Sequence, residues 1–172
     1  MNDLTLIIPA KNESESLPSV LNELDKFDVK IKIILQKDDL KTINSIRDTK
    51  AEIVYQENKG YGDALIKGIN SVDTRFFCIF NADGSFNPSE LDPMMNLINE
   101  SNSDFVFASR YEKKAGSEDD TFMTFIGNKI FSLIGKIFFS LNISDILYTF
   151  VIGKTSEARQ LGLGYKDFRF CV

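Results

Sequence analysis

Apolar residues along this chain fall into two kinds of pattern. Short runs rich in apolar and β-branched residues read as strands: Leu4 to Pro9, Val29 to Leu35, Phe76 to Phe80 and Phe105 to Ala108. Runs apolar throughout are expected where a strand is covered on both faces. Between them, apolar residues recur at helical spacing. Leu17, Val20, Leu21 and Leu24 stand at i, i+3, i+4 and i+7, and Leu91, Met94, Met95 and Ile98 share one face after Pro88. Asn12 and Ser14 are candidate caps for the first helix, and Pro18 fits its first turn. Thr42 to Arg47 predicts a short helix and Glu52 to Tyr55 a strand. The glycine-marked turn Asn58 to Gly62 leads into a helix through Ala64, Leu65, Gly68 and Ile69.

Strands alternating with helices predict an α/β layer fold with a mostly parallel sheet from Leu4 to Ala108. Ligands in such sheets sit at the carboxyl ends of the strands. The polar residues just after each strand are therefore the ones that bear on chemistry: Lys11 to Glu13, Gln36 to Asp39, Asn58 to Asp63, Asn81 to Ser85 and Ser109 to Tyr111.

The pattern changes after Tyr111. Glu112 to Asp120 is polar and reads as a mobile loop, and Thr121 to Leu141 is strongly apolar. In that segment Lys129, Ser132, Lys136 and Ser140 form one stripe at helical spacing. Two lysines would each cost roughly 2.5–3.5 kcal/mol near a bilayer centre, which argues against a membrane span. A helix or helix pair, packed on the domain or lying in a membrane interface, fits better. Asp167 to Val172 reads as a strand that stops without a polar tail, so the domain is expected to continue further. The expected organisation is an α/β domain over 1–110, with 111–172 supplying a loop, an apolar helical segment and a terminal strand of the same domain.

Composition narrows the function. At 172 residues the chain suits one core. A net charge of −5 disfavours a general nucleic-acid binder, yet leaves room for a local phosphate site. Cys78 and Cys171 lie far apart in apolar runs and read as buried thiols, as in a cytosolic protein. The opening Met1-Asn2-Asp3 lacks the basic region of a signal peptide. Histidine is absent. That removes Ser-His-Asp hydrolysis, histidine-ligated zinc and imidazole acid–base chemistry. Any metal must then be held by oxygen, which favours Mg²⁺ or Mn²⁺.

Asn81-Ala82-Asp83-Gly84-Ser85 directly follows the central strand. A carboxylate there points to the ligand crevice, where a bound metal could bridge two phosphates. Taken alone, Asn-x-Asp-Gly is equally a common turn. The wider context is an ordered set: Pro9-Ala10-Lys11-Asn12-Glu13, then Asn58-Lys59-Gly60-Tyr61-Gly62-Asp63-Ala64-Leu65, Asn81-Ala82-Asp83, Ser109-Arg110-Tyr111 and Ser144-Asp145. In this order and spacing the chain resembles family 2 glycosyltransferases, especially the branch that uses polyprenyl phosphates, over roughly residues 4 to 152.

The resemblance implies a GT-A fold with a Rossmann-like sheet. It places Pro9, Asn12 and Glu13 by the base and ribose, though Asn12 could simply cap a helix. It assigns Gly60 and Gly62 to close backbone approach, or to a plain helix-entry turn. The family's Asp-x-Asp motif falls on Asn81-Ala82-Asp83, so Asp83 would be the main metal ligand, with Asn81 and Ser85 as neutral oxygen partners. Fewer charged ligands weaken metal affinity. Arg110 would fix a phosphate by bidentate hydrogen bonding, or form a surface ion pair. Asp145 aligns with an acceptor-side aspartate, or is a loop residue. After the second strand relatives usually carry a nucleoside-binding aspartate pair followed by Gly-Ser; this chain departs from that with Leu35-Gln36-Lys37-Asp38-Asp39-Leu40, where Asp38 and Asp39 would be the shifted equivalent, or form a solvated loop.

The reaction so implied is inverting transfer of a sugar from a nucleoside diphosphate sugar, with Asp83, Arg110 and Asp145 as the catalytic set. A hydroxyl acceptor needs a base, and without histidine that base is a carboxylate. A polyprenyl phosphate is already anionic and needs little or none. The apolar segment with its lysines suits approach to an anionic membrane surface, so a cytoplasmic protein, peripheral at the membrane, is expected. Two rivals stand beside this reading: a domain that binds a nucleotide sugar without turnover, and a sugar-nucleotide nucleotidyltransferase. The second class usually carries a glycine-rich loop with an arginine after the first strand, whereas this chain has Pro9-Ala10-Lys11-Asn12-Glu13.

Overall fold

The computed structural model describes residues 2–111, 122–141 and 143–171, with side chains outside 122–125 and 171. The loop expected at Glu112 to Asp120, the start of the apolar segment at Thr121, the Cys171 thiol and Val172 lie outside that description. In chain order the elements are β1 (Leu4–Pro9), α1 (Leu17–Leu24), β2 (Lys30–Leu35), α2 (Leu40–Ser45), β3 (Glu52–Tyr55), α3 (Tyr61–Ser71) and β4 (Phe76–Ile79). A 3-10 turn, Pro88–Glu90, leads into α4 (Leu91–Ser101). Then come β5 (Phe105–Phe107), α5 (Phe122–Phe139), β6 (Val151–Lys154), α6 (Thr155–Gln160) and a second 3-10 turn, Phe168–Cys171.

Among the described residues one six-stranded sheet runs β3-β2-β1-β4-β6-β5. The pairs β1–β2, β1–β4 and β2–β3 are parallel, and β6 pairs antiparallel with both β4 and β5. Five strands thus share one direction and β6 alone opposes them. Alternation along β1 explains the layers. Leu4, Leu6 and Ile8 face a core with Leu17, Val20, Leu21 and Leu24 of α1 and Leu91, Met94, Met95 and Ile98 of α4. Ile7 faces the other side with Ala64, Leu65 and Ile69 of α3. Helices on both faces are what allow β1 to be apolar at nearly every position. Its one inward hydroxyl, Thr5, is satisfied by the Thr74 hydroxyl at 2.7 Å.

Several boundaries move for identifiable reasons. α2 starts at Leu40 rather than Thr42, because Asp39 caps it by accepting the Thr42 N–H. Neither Asn12 nor Ser14 caps α1: its N-cap is Ser16, with Pro18 in the first turn as expected. The strand expected at Asp167 to Val172 is instead the turn Phe168–Cys171. There the Asp167 side chain accepts the Arg169 N–H at 3.0 Å and its carbonyl accepts the Phe170 N–H at 3.2 Å. These local bonds compete with extended structure.

The apolar segment after 121 forms a single helix, α5, and the stripe on it ends at Lys136. Ser140 lies beyond the helix with a left-handed φ of 56°. Gly135 and Asn128 are buried, whereas Ile137 and Phe138 are 65% and 74% exposed. Among the described residues no helix is long and apolar enough to cross a membrane.

Candidate functional site

Four loops gather at the carboxyl edge of the sheet. Since β1 and β4 are parallel neighbours, Glu13 and Asp83 both follow strand ends on this one edge. At the first corner, Asn12 adopts φ 60° and its N–H donates to Asp39 Oδ2 at 2.8 Å. The Glu13 N–H donates to Thr42 Oγ1 at 3.0 Å, and Glu13 Oε2 accepts the Ser16 hydroxyl at 2.6 Å. Asp39 therefore ties the loop after β1, which follows Pro9 and carries Asn12 and Glu13, to the start of α2. Partial burial pushes the Asp39 carboxyl up, but hydrogen bonds from the Asn12 N–H and from the Thr42 hydroxyl and N–H together hold it below the usual range. Asp38, by contrast, is exposed to solvent. The two adjacent aspartates thus differ in kind.

The second corner is the start of α3. Gly60 has φ +127°, a value that L side chains rarely adopt. Its close approach is made by the chain itself. A Cβ on Gly60 would stand 2.1 Å from the Lys166 carbonyl oxygen, and one on Gly62 would stand 2.2 Å from that of Tyr165. The Asp63 N–H donates to the Lys166 carbonyl at 2.9 Å, and the Tyr61 ring stacks on Phe168 at 5.4 Å. Segment 165–168 thus occupies the notch that the two glycines open. Asp63 is buried and accepts both the Asn58 N–H and its amide Nδ2–H.

The third corner follows β4. Asp83 Oδ1 accepts the Ser85 N–H at 2.9 Å, and Gly84 takes φ +82° to close the turn. Asn81 Nδ2 donates to Ser85 Oγ at 3.0 Å. Buried Ala82 and Phe86 anchor the turn, while Asp83 and Ser85 are exposed. The turn reading holds, and the turn presents a carboxylate, an amide and a hydroxyl on one exposed loop. This oxygen-only donor set fits Mg²⁺ or Mn²⁺. Among the described residues no three His, Cys, Asp or Glu side chains gather to hold a metal, so Asp83 brings a single formal charge.

The fourth corner joins β5 to the segment before β6. Arg110 Nε donates to Asp145 Oδ2 at 2.9 Å and its Nη2 to Oδ1 at 3.0 Å, while the Arg110 N–H donates to Oδ2 at 3.1 Å. Asn128 of α5 adds a bond to Oδ1 at 2.8 Å, and its Oδ1 accepts the Leu147 N–H. Asp145 is 1% exposed. Tyr148 links this corner to the Asp83 turn. Its ring lies 5.0 Å from the Arg110 guanidinium and 4.9 Å, edge-on, from Phe86. Burial pushes the Tyr148 phenol up, against the opposing pull of Arg110, so it stays protonated as a donor. Asn128 and Tyr148 were not singled out in the sequence. Their signals are faint: one amide in an apolar helix, and one tyrosine in an apolar run three residues after Asp145.

Glycosyl transferase family 2 matches residues 5–161, nearly the whole chain. The chain belongs to that family. A glycosyltransferase of Mycobacterium tuberculosis is 28% identical over 93 residues, covering 54% of this chain and 42% of that protein. One from Rickettsia prowazekii is 29% identical over 118 residues, covering 63% of this chain and 36% of that protein. This family 2 chain therefore spans less than half the length of these relatives. The fold matches mannosyl-3-phosphoglycerate synthase from Rubrobacter xylanophilus with a TM-score of 0.70 at 13% identity, covering 90% of this chain and 53% of that one. It also matches Mycobacterium tuberculosis glucosyl-3-phosphoglycerate synthase in complex with Mn²⁺, UDP-glucose and phosphoglyceric acid. There the TM-score is 0.67 at 14% identity, with 89% and 56% covered. The α/β sheet with flanking helices is thus of the GT-A kind that this family 2 membership implies.

Proposed function

We propose that this chain carries the donor half of a glycosyltransferase, moving a sugar from a nucleoside diphosphate sugar to a phosphate-bearing acceptor by inverting displacement. The carrying observation is the shared edge: the Asp83 turn, the Asn12–Asp39 corner and the Arg110–Asp145 pair all follow or precede strand ends on one rim, and Phe86 and Tyr148 bridge the first to the last. Asp83, Asn81 and Ser85 are the residues that would hold Mg²⁺ or Mn²⁺. Such an ion, when bound, neutralises charge on a departing diphosphate. The backbone around Pro9, Asn12 and Glu13, fixed through Asp39, offers a rigid wall for the nucleoside, with exposed Asp38 on its rim. Nucleotide contact at Gly60 and Gly62 requires segment 165–168 to yield that notch. Arg110 and Asp145 shape the acceptor side as a matched pair. Asp145, buried and accepting four N–H bonds, is poorly suited to act as a general base. This favours an acceptor that is already anionic. Polyprenyl phosphate is the acceptor we favour, since exposed apolar α5 borders that side, with the membrane face of the cytoplasm as its place of action. Phosphoglyceric acid, bound beside UDP-glucose in the complex of the mycobacterial structural neighbour, also carries a phosphate monoester.

A domain that binds the donor without turnover is the second reading, supported by the single charge at the Asp83 turn. Release of labelled sugar from a nucleotide sugar, measured beside a binding isotherm with Mn²⁺, separates the two. Transfer to a prenyl phosphate supports catalysis, binding without transfer supports the second reading, and absence of binding refutes both.

A further inference from the structure

We propose that the Tyr148 hydroxyl donates a hydrogen bond to a hydroxyl of the sugar being transferred, an inference that rests on the transferase reading above. Tyr148 is the outer member of a cluster of rings with Phe80, Phe86 and Phe150, which are 0%, 4% and 1% exposed. Phe86 stacks on Phe150 at 4.7 Å and meets Phe80 edge-on at 5.6 Å. The half-buried Tyr148 ring packs edge-on against Phe86 at 4.9 Å and Phe150 at 6.2 Å. A phenylalanine would serve this packing equally well, so packing alone does not call for the hydroxyl. Among the described residues that hydroxyl has no hydrogen-bond partner, and it opens to solvent. A tyrosine hydroxyl in a part-buried setting usually finds a partner; here the group is left for a ligand.

The ring stands between two corners of the site. Phe86 directly follows Ser85 of the Asp83 turn, and the Arg110 guanidinium lies 5.0 Å from the Tyr148 ring. The Tyr148 N–H donates to the Asp145 carbonyl at 3.4 Å, which pins its backbone beside the Arg110–Asp145 pair. In the transferase reading the departing diphosphate lies at the Asp83 turn and the acceptor at that pair. The sugar between them then lies across Tyr148. The chemistry of the phenol agrees. Burial pushes it up, Arg110 opposes, and the carboxylates of Asp145, Glu90 and Asp83 add to the rise, so the proton stays on the oxygen. A protonated phenol offers a hydrogen bond without a charge, in front of an aromatic wall. That suits a neutral polyol, whereas a phosphate is bound best by charged donors. The contact also discriminates, because a sugar lacking the matching hydroxyl leaves the phenol unpaired.

Calorimetric titration of the full chain in the presence of Mn²⁺ tests this, with UDP-glucose set beside UDP and GDP-mannose beside GDP. Y148F keeps the ring and should keep the parent's unfolding midpoint. It should bind the sugar nucleotide about two- to tenfold more weakly than the parent does, the range for one neutral hydrogen bond, and the bare diphosphate with affinity unchanged. Monodeoxy forms of the same sugar nucleotide identify the group that is read. One of them should bind the parent more weakly, yet lose little further in Y148F. Equal losses for sugar nucleotide and bare diphosphate would put the hydroxyl on a phosphate and overturn the proposal. Unchanged affinity of Y148F for every ligand, losses that add for every monodeoxy form, or a parent that binds diphosphates but neither sugar nucleotide would overturn it as well, and each leaves nucleotide binding at the Asp83 turn standing. A lowered unfolding midpoint with losses for all ligands would assign the hydroxyl to the fold instead. A parent that binds no nucleotide at all sinks the transferase reading itself, and the sugar contact falls with it.

Discussion

Arg110 and Asp145 are joined face to face, two guanidinium nitrogens on two carboxylate oxygens at 2.9 and 3.0 Å, across 35 positions of sequence. The arginine is partly exposed and the aspartate buried. This asymmetry decides what each substitution does.

Replacing Arg110 by alanine strands a buried carboxylate with only Asn128 and a backbone N–H beside it. Such a loss costs about 3–5 kcal/mol. R110K should recover only part, since an ammonium cannot bond both oxygens in the same plane. Urea unfolding reads both. An alanine variant as stable as the parent would show that the pair holds nothing together.

The metal assignment rests on Asp83. In the parent, Mn²⁺ should tighten binding of a nucleoside diphosphate, and D83N should abolish that gain while leaving metal-free affinity similar. D92N, in the first turn of α4 and away from the turn after β4, should behave like the parent. Metal dependence persisting in D83N would move the ion elsewhere.

Asp39 gives a pH signature. Its folded pKa lies below its ordinary value of 3.8, so the native state binds fewer protons than the unfolded chain around that pH. Its contribution is complete above the unfolded value and is lost as pH falls through the folded one. D39A should cost roughly 0.5–2 kcal/mol near neutrality, the range for loss of an N-cap. The difference between variant and parent should shrink in acid below the ordinary carboxylate range. A gap that stayed constant down to pH 2, about two pH units below the ordinary value, would rule out this role.

How much of this could be read without coordinates follows from the length of each pattern. β1 and β4 are legible because runs apolar at nearly every position, covered on both faces, leave few alternatives, and β2 because Ile31, Ile33 and Ile34 make a β-branched run. α1, α3 and α4 are legible from spacing. β6 is not: four residues ending in Gly153-Lys154 carry too little pattern, and the strand is recruited by its neighbours β4 and β5. The rim loops could be listed from strand ends alone. What each residue does there could not. Asp38 and Asp39 look alike in sequence, and only capping geometry separates them. Gly60 and Gly62 announce a close approach without naming what approaches, which is residues 165–167 of the same chain.

That contact is itself testable. A Cβ at Gly62 would stand 2.2 Å from one backbone oxygen and 2.7 Å from another, and neither can rotate away. G62A should therefore displace segment 165–168 and cost about 1–3 kcal/mol, as overpacking does. Amide exchange should rise at residues 165–170 before it rises in α3. Unchanged exchange there would mean that the segment holds by other contacts.

The last expectation concerns α5, whose Ile137 and Phe138 face solvent while Lys136 stands in its last turn. No helix among the described residues can span a bilayer, yet an apolar face edged by lysines suits the membrane interface. Each lysine adds about 1 kcal/mol near an anionic surface, and that share falls with salt. The apolar share does not. Co-sedimentation with vesicles separates the two. I137S/F138S should lower binding at all salt concentrations, whereas K129Q/K136Q should lower it chiefly at low salt and only when anionic lipid is present. Binding to neutral vesicles as strong as to anionic ones would remove the lysine share, and binding to neither, or binding indifferent to I137S/F138S, would show that this face does not meet a membrane.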